Sequence, residues 1–126
     1  MQTPYSHRKI AAYLMVLSGI THPAQILVYG ARPEISGPAM QGSIFLLVGA
    51  LLLTRYRIAL WVAVVLPLMG GAGALYRIAA LEPTAFTYFH ALIDFVVVGL
   101  VITCLMRPEI KPGGGSVRDA VEEAKN

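Results

Sequence analysis

Four apolar segments, each about long enough to cross a bilayer, take up most of this chain and leave room for little else. They run from about Lys9 to Gly30, Pro38 to Thr54, Ile58 to Leu81 and Phe86 to Met106. A spanning helix needs roughly 17–25 residues at about 1.5 Å each, and all four fall near or within that range. In lipid the backbone must satisfy its own hydrogen bonds, and at these lengths only helices do so. The joints are too short to hold another domain. The expected fold is therefore all-α: a four-helix transmembrane bundle of up-down topology over residues 1–107. The second segment is the shortest, so it should stand nearly upright or begin within the headgroup layer.

Composition agrees with that reading. The 126 residues are 56% hydrophobic and 13% charged, whereas soluble domains run about 45–50% apolar and about 25% charged. Cys104 is the single cysteine, which excludes an internal disulfide or a thiolate metal cluster. Basic residues flank the apolar runs and do not cluster with aromatics. That pattern argues against a nucleic-acid surface and makes lipid headgroups the expected partners. The first segment opens on His7-Arg8-Lys9, as a signal peptide would. Its apolar run continues through Thr21, His22, Pro23 and Gln25 without a small-residue cleavage site, so a retained helix is expected.

The basic residues also set an orientation. Arg8 and Lys9, Arg55 and Arg57, and Arg107, Lys111, Arg118 and Lys125 fall on one side of a four-pass chain. The other two connections hold Arg32 with Glu34, and Glu82. The positive-inside rule makes the first side cytoplasmic, with both termini on it. The expected location is a cell membrane crossed several times, the inner membrane of a bacterium. Beyond Pro108, the run Lys111-Pro112-Gly113-Gly114-Gly115 predicts a flexible cytoplasmic tail over 108–126. Ser116 and Asp119 resemble a capping box for a short helix inside it.

Asp94 stands in the middle of the fourth segment. A carboxylate there costs several kcal/mol unless it is paired or wetted, and so marks a functional position. His90 precedes it by one turn on the same face. Arg77 on the third segment is the expected counter-charge. On the first helix Ser18, His22, Gln25 and Tyr29 recur at steps of four, three and four, forming one polar stripe. On the third, Gly70 and Gly73 share a face with Arg77, and small residues there permit close helix approach. On the second, Gln41 and Ser43 are the polar residues near the outer end.

Counting from the expected outer helix ends puts His22 and Asp94 about 12 Å deep, and Arg77 and His90 about 6 Å deep. All four then occupy the outward half of the bilayer, in two layers. Val96, Val97, Val98, Val101 and Ile102 follow Asp94 inward. That asymmetry favours a pocket open to the outside over a continuous channel. Pro23 and Pro67 free the backbone carbonyls of Gly19 and Ala63, and the former is an expected acceptor beside His22. Tyr29, Tyr76 and Tyr88 are near enough to line the mouth.

The candidate ligand-binding residues are therefore His22, Gln25, Tyr29, Arg77, His90 and Asp94. Imidazole and carboxylate suit zinc, iron or copper, and histidines on facing helices can hold a haem. The spacing of His22 and His90 is a weak pattern for either, so the cofactor stays unassigned. As hydrogen-bonding pocket residues the histidines need no special geometry. No phosphate loop, dinucleotide fingerprint or zinc-protease motif is present, and no catalytic motif identifies an enzyme.

In size and number of passes the chain is similar to the small multidrug-resistance transporters. Those carry an essential glutamate in the first helix, and the first helix here has no acid. Three readings compete. The first is a membrane protein binding a small amphiphile, quinone-like or other, in an outward-half polar pocket. The second is a proton-coupled transporter protomer that uses Asp94 and works as a homo-oligomer. The third is a structural accessory subunit of a larger membrane complex, in which Arg77 and Asp94 simply pair.

Overall fold

The computed structural model describes residues 4–54 and 56–107. The predicted tail over 108–126 lies outside them. Four helices cover nearly all of the described chain: α1 (Pro4–Tyr29), α2 (Pro33–Leu53), α3 (Ile58–Ala80) and α4 (Ala85–Met106). Each is long and apolar enough to cross a membrane. The chain is a small polytopic membrane protein with an up-down four-helix bundle.

Each connection has a local cause. Gly30 ends α1 with φ +79°, a left-handed conformation that costs glycine nothing, and its N–H donates to the Ile26 carbonyl at 2.9 Å. Arg32 then caps α2 in extended backbone with Pro33 next, where a missing N–H is harmless and φ is already helical. The sequence places the start of α2 near Pro38, but the helix begins five residues earlier and carries Pro38 inside it. A proline within a helix removes one hydrogen bond without obliging the helix to begin there. Similarly α1 is already helical at Pro4, ahead of Lys9, and Arg8 within it is held: its Nε donates to Leu52 O at 2.7 Å and its Nη2 to Tyr56 O at 2.9 Å. Thr84 opens α4 with a capping box, its Oγ1 accepting from Thr87 N at 3.3 Å while Thr87 Oγ1 accepts from Thr84 N at 3.1 Å.

The helices form a ring in chain order. α1 packs most extensively on α2, α3 on α4, and α1 also on α4, while the α2–α3 seam is the thinnest and the diagonal helices' backbones stay apart among the described residues. Glycines set the α1–α2 distance. A methyl group on Gly42 would lie 2.7 Å from Gly19 O and 2.8 Å from both His22 Cβ and Pro23 Cδ. One on Gly49 would meet Val16 Cγ2 at 2.8 Å. Such close backbone approach is how helices associate in lipid, where no hydrophobic force drives them together.

The two halves of the bundle differ in chemistry. The end holding Pro4, Met106 and the α2–α3 connection (the termini end) is filled by Ala11, Ala12, Met15, Phe45, Val48, Leu52, Ala59, Leu60, Val97 and Val101, all buried. Arg8 closes that end by bridging to α2 and its loop. The opposite half (the far end) holds the buried polar residues His22, Gln25, Thr87, His90 and Asp94, with Ser18 just below.

Candidate functional site

A cavity of about 180 Å³ lies in the far half, and all four helices contribute to it. α1 supplies His22 and Gln25, and α2 supplies Pro38 and Gln41. α3 supplies Met69, Gly70, Gly73, Ala74 and Arg77, while α4 supplies Thr87, His90 and Asp94. Water occupies about 30 Å³ per molecule, so the space suits a ring-sized group or a few waters.

Helical periodicity brings these residues to one place. Thr87, His90 and Asp94 follow steps of three and four, so the capping box that starts α4 also sets which face the carboxylate occupies. Gly70 makes room for Asp94: a methyl group there would lie 2.7 Å from Asp94 Oδ2, 3.2 Å from Gln41 Nε2 and 3.3 Å from Phe45 Cζ. Asp94 is only 2% exposed, and its Oδ1 has no hydrogen-bond partner in the protein.

The expected bond between Arg77 and Asp94 is not made. Both line the cavity, but Arg77 Nη1 donates instead to Glu34 O at 2.9 Å, and its buried Nε has no partner. The cause is Pro38. Without an N–H, Pro38 leaves the Glu34 carbonyl four residues earlier unpaired inside the helix, and the guanidinium reaches across the α2–α3 seam to supply the donor. The pairing read from sequence overlooked Pro38 as a competitor for the same cation.

The histidines also differ from the two-layer expectation. Their rings stack at 3.7 Å with 29° between planes, so they occupy one level. α1 and α4 are not joined by a loop, and nothing obliges their far ends to stand at equal height. His22 Nδ1 is 2.8 Å from the Ser18 carbonyl. A carbonyl only accepts, so Nδ1 carries the hydrogen and the neutral ring keeps Nε2 as an acceptor. The hydroxyl of Thr21 lies 2.9 Å from Leu17 O and 2.9 Å from His90 Nε2. The Thr21 hydroxyl therefore bridges the Leu17 carbonyl and the His90 ring. His90 thereby ties α4 to α1.

That geometry does not suit the metal or haem alternative. Axial imidazoles must approach an iron from opposite sides, whereas these rings lie face against face with Nδ1 of one and Nε2 of the other engaged. No group of three His, Cys, Asp or Glu side chains able to hold a metal occurs among the described residues.

The remaining candidates divide. Gln25 is 5% exposed and lines the cavity as its spacing predicts. Tyr29 lies farther out, edge-on to Phe86 at 5.9 Å, in a second recess of about 390 Å³ with Arg32, Glu34, Arg77, Glu82 and Thr84. Arg77 is common to both spaces. Tyr76 and Tyr88 are exposed on the outside of the bundle and line neither. Ser43 is exposed as well, leaving Gln41 as the α2 contribution. The carbonyl freed by Pro23 packs against Gly42. Thr21 and Thr87 were missed as site residues, although the three-and-four spacing of Thr87 to His90 and Asp94 is a readable signal. Comparison of the chain with known protein families, curated proteins and solved structures finds no match in any of the three.

Proposed function

We propose that this protein binds a small amphiphile with a quinone-like head, the head lying among His22, Gln25, Gln41, Arg77, His90 and Asp94. Tyr29 stands at the outer approach, and the termini end faces the cytoplasm of a bacterial inner membrane in accordance with its basic residues. The observation that carries the reading is a set of buried polar atoms with no partner around one cavity: Asp94 Oδ1 and Arg77 Nε. Buried polar groups are nearly always satisfied, and each exception calls for an explanation such as a bound molecule.

The tail has a route as well. The seam between α2 and α3 is the thinnest in the ring, and Met69, Gly73 and Ala74 line the cavity on that side. Met69 and Gly73 are exposed, and a methyl group on Gly73 would meet nothing within 4 Å. An acyl or isoprenoid chain passing there would stay in lipid while its head reached the polar cluster. The apolar layer beneath Asp94 favours binding over passage across the membrane.

The test is native mass spectrometry of the protein in nanodiscs loaded with a benzoquinone bearing a long isoprenoid tail. One molecule per chain is expected on the wild type. Gly73→Trp, which fills the seam and leaves every polar group in place, should lower occupancy about tenfold. Occupancy on the wild type no higher than on an unrelated four-helix membrane protein would sink the proposal.

A further inference from the structure

We infer that the head of the ligand is a hydrogen-bond donor at its deep end and an acceptor at its shallow end, so that the cavity selects a hydroxylated ring over the corresponding dicarbonyl. This inference rests on the amphiphile reading above and assigns the class of head group. The polar groups free to meet a ligand are sorted by depth. Contacts between helices give the order: Arg77 bonds to Glu34 O in the first turn of α2, whereas His22 packs at Gly42 and Asp94 at Gly70, each about two turns deeper along the neighbouring helix. The deep pair accepts. His22 keeps a bare Nε2, because its Nδ1 hydrogen is committed to Ser18 O at 2.8 Å. Asp94 Oδ1 is buried without a partner, and in either protonation state the carboxyl group retains an acceptor oxygen.

The shallow group donates. Arg77 has a buried Nε–H without a partner and no capacity to accept. Gln25 and Gln41 can turn either end of the amide toward a ligand and do not discriminate. His90 does not compete, since its ring is held by Thr21 at 2.9 Å and by the Phe86 backbone. A dicarbonyl would set its deep oxygen against the bare Nε2 of His22, and could take a hydrogen there only from a protonated Asp94. A ring hydroxyl in the same position gives its hydrogen to either side chain, and the oxygen at the other end receives the Arg77 Nε–H. Leaving a buried polar group opposite another of the same kind is where small sites obtain their largest discrimination.

The experiment compares four ligands on the full chain in nanodiscs by competition against a tritiated long-tailed quinol under anaerobic conditions. They are the quinol, its quinone, and a 4-alkyl phenol beside its methyl ether, which differ only in the donor. The quinol should bind about tenfold more tightly than the quinone, and the phenol about tenfold more tightly than the ether. His22→Phe should lower both ratios, whereas Arg77→Gln should weaken quinol and quinone alike and leave the ratios standing. Because the ratios are measured on the wild type, misfolding of a variant cannot rescue the inference. Equal binding of quinol and quinone overturns it while leaving the amphiphile reading intact. Failure of every ligand to bind overturns both.

Discussion

A double-mutant cycle at Asp94 and Arg77 separates a cavity that holds a ligand from a buried ion pair. Were the two bonded, removing either partner would cost about 3–5 kcal/mol, because the other charge would be left alone in the bundle. The structure leads to different values. Asp94 has no cation bound to it and its Oδ1 is unpartnered, so Asp94→Asn breaks no ion pair. The ligand-free protein should become more stable by about 1 kcal/mol, in line with the penalty for an unsatisfied buried group. Arg77→Gln gives up the charge-assisted bond to Glu34 O. That loss should amount to about 1 kcal/mol, at the low end for such bonds because the side chain is only half-buried. The two effects should add, with a coupling below about 0.5 kcal/mol. The assay is reversible unfolding from mild detergent into SDS, followed by the fluorescence of Trp61, the single tryptophan of the chain. A coupling of about 2 kcal/mol or more, or an Asp94→Asn variant destabilised by that amount, would refute the reasoning and restore the ion pair.

Two further outcomes follow from packing. Gly42→Ala forces a methyl group to 2.7 Å from Gly19 O, so the α1–α2 crossing should lose about 1–3 kcal/mol from overpacking despite a better helix former. Gly37→Ala, where a methyl meets nothing within 4 Å, should be neutral or gain up to about 1 kcal/mol in the same SDS titration. Thr21→Val keeps the shape of the side chain but leaves His90 Nε2 without its hydrogen-bond partner, at a cost of about 1–2 kcal/mol. The imidazole resonances of His90 in NMR should shift with that change, and no shift would place the Thr21 contact outside the folded ensemble.

Much of the architecture was legible because the bilayer imposes it. Runs of apolar residues of spanning length permit one solution, and the four helices lie where those runs lie. The polar stripe of His22 and Gln25, and the shared face of Gly70, Gly73 and Arg77, followed from spacing of three and four. What spacing does not carry is the height of one helix against another, which is why His22 and His90 were placed a turn apart yet stack at 3.7 Å. Nor does it carry competition for a partner. Arg77 had two acceptors within its reach, and the backbone oxygen exposed by Pro38 wins it. Ser43 and Gln41 are two residues apart in sequence and equally polar, but rotation of α2 sends one to lipid and the other inward.

The dry packing between Asp94 and the termini end has an electrical consequence. About 18 Å of α4 separates the carboxylate from Met106, and the buried neighbours along that length are hydrocarbon. Most of a voltage applied across the bilayer must drop over this insulating layer, where moving one elementary charge through 100 mV takes about 2.3 kcal/mol. A proton or ion reaching Asp94 from the far end traverses only the remaining fraction of the field. For a given charge, occupancy of the cavity should accordingly depend less on membrane voltage than transfer across the whole bilayer would.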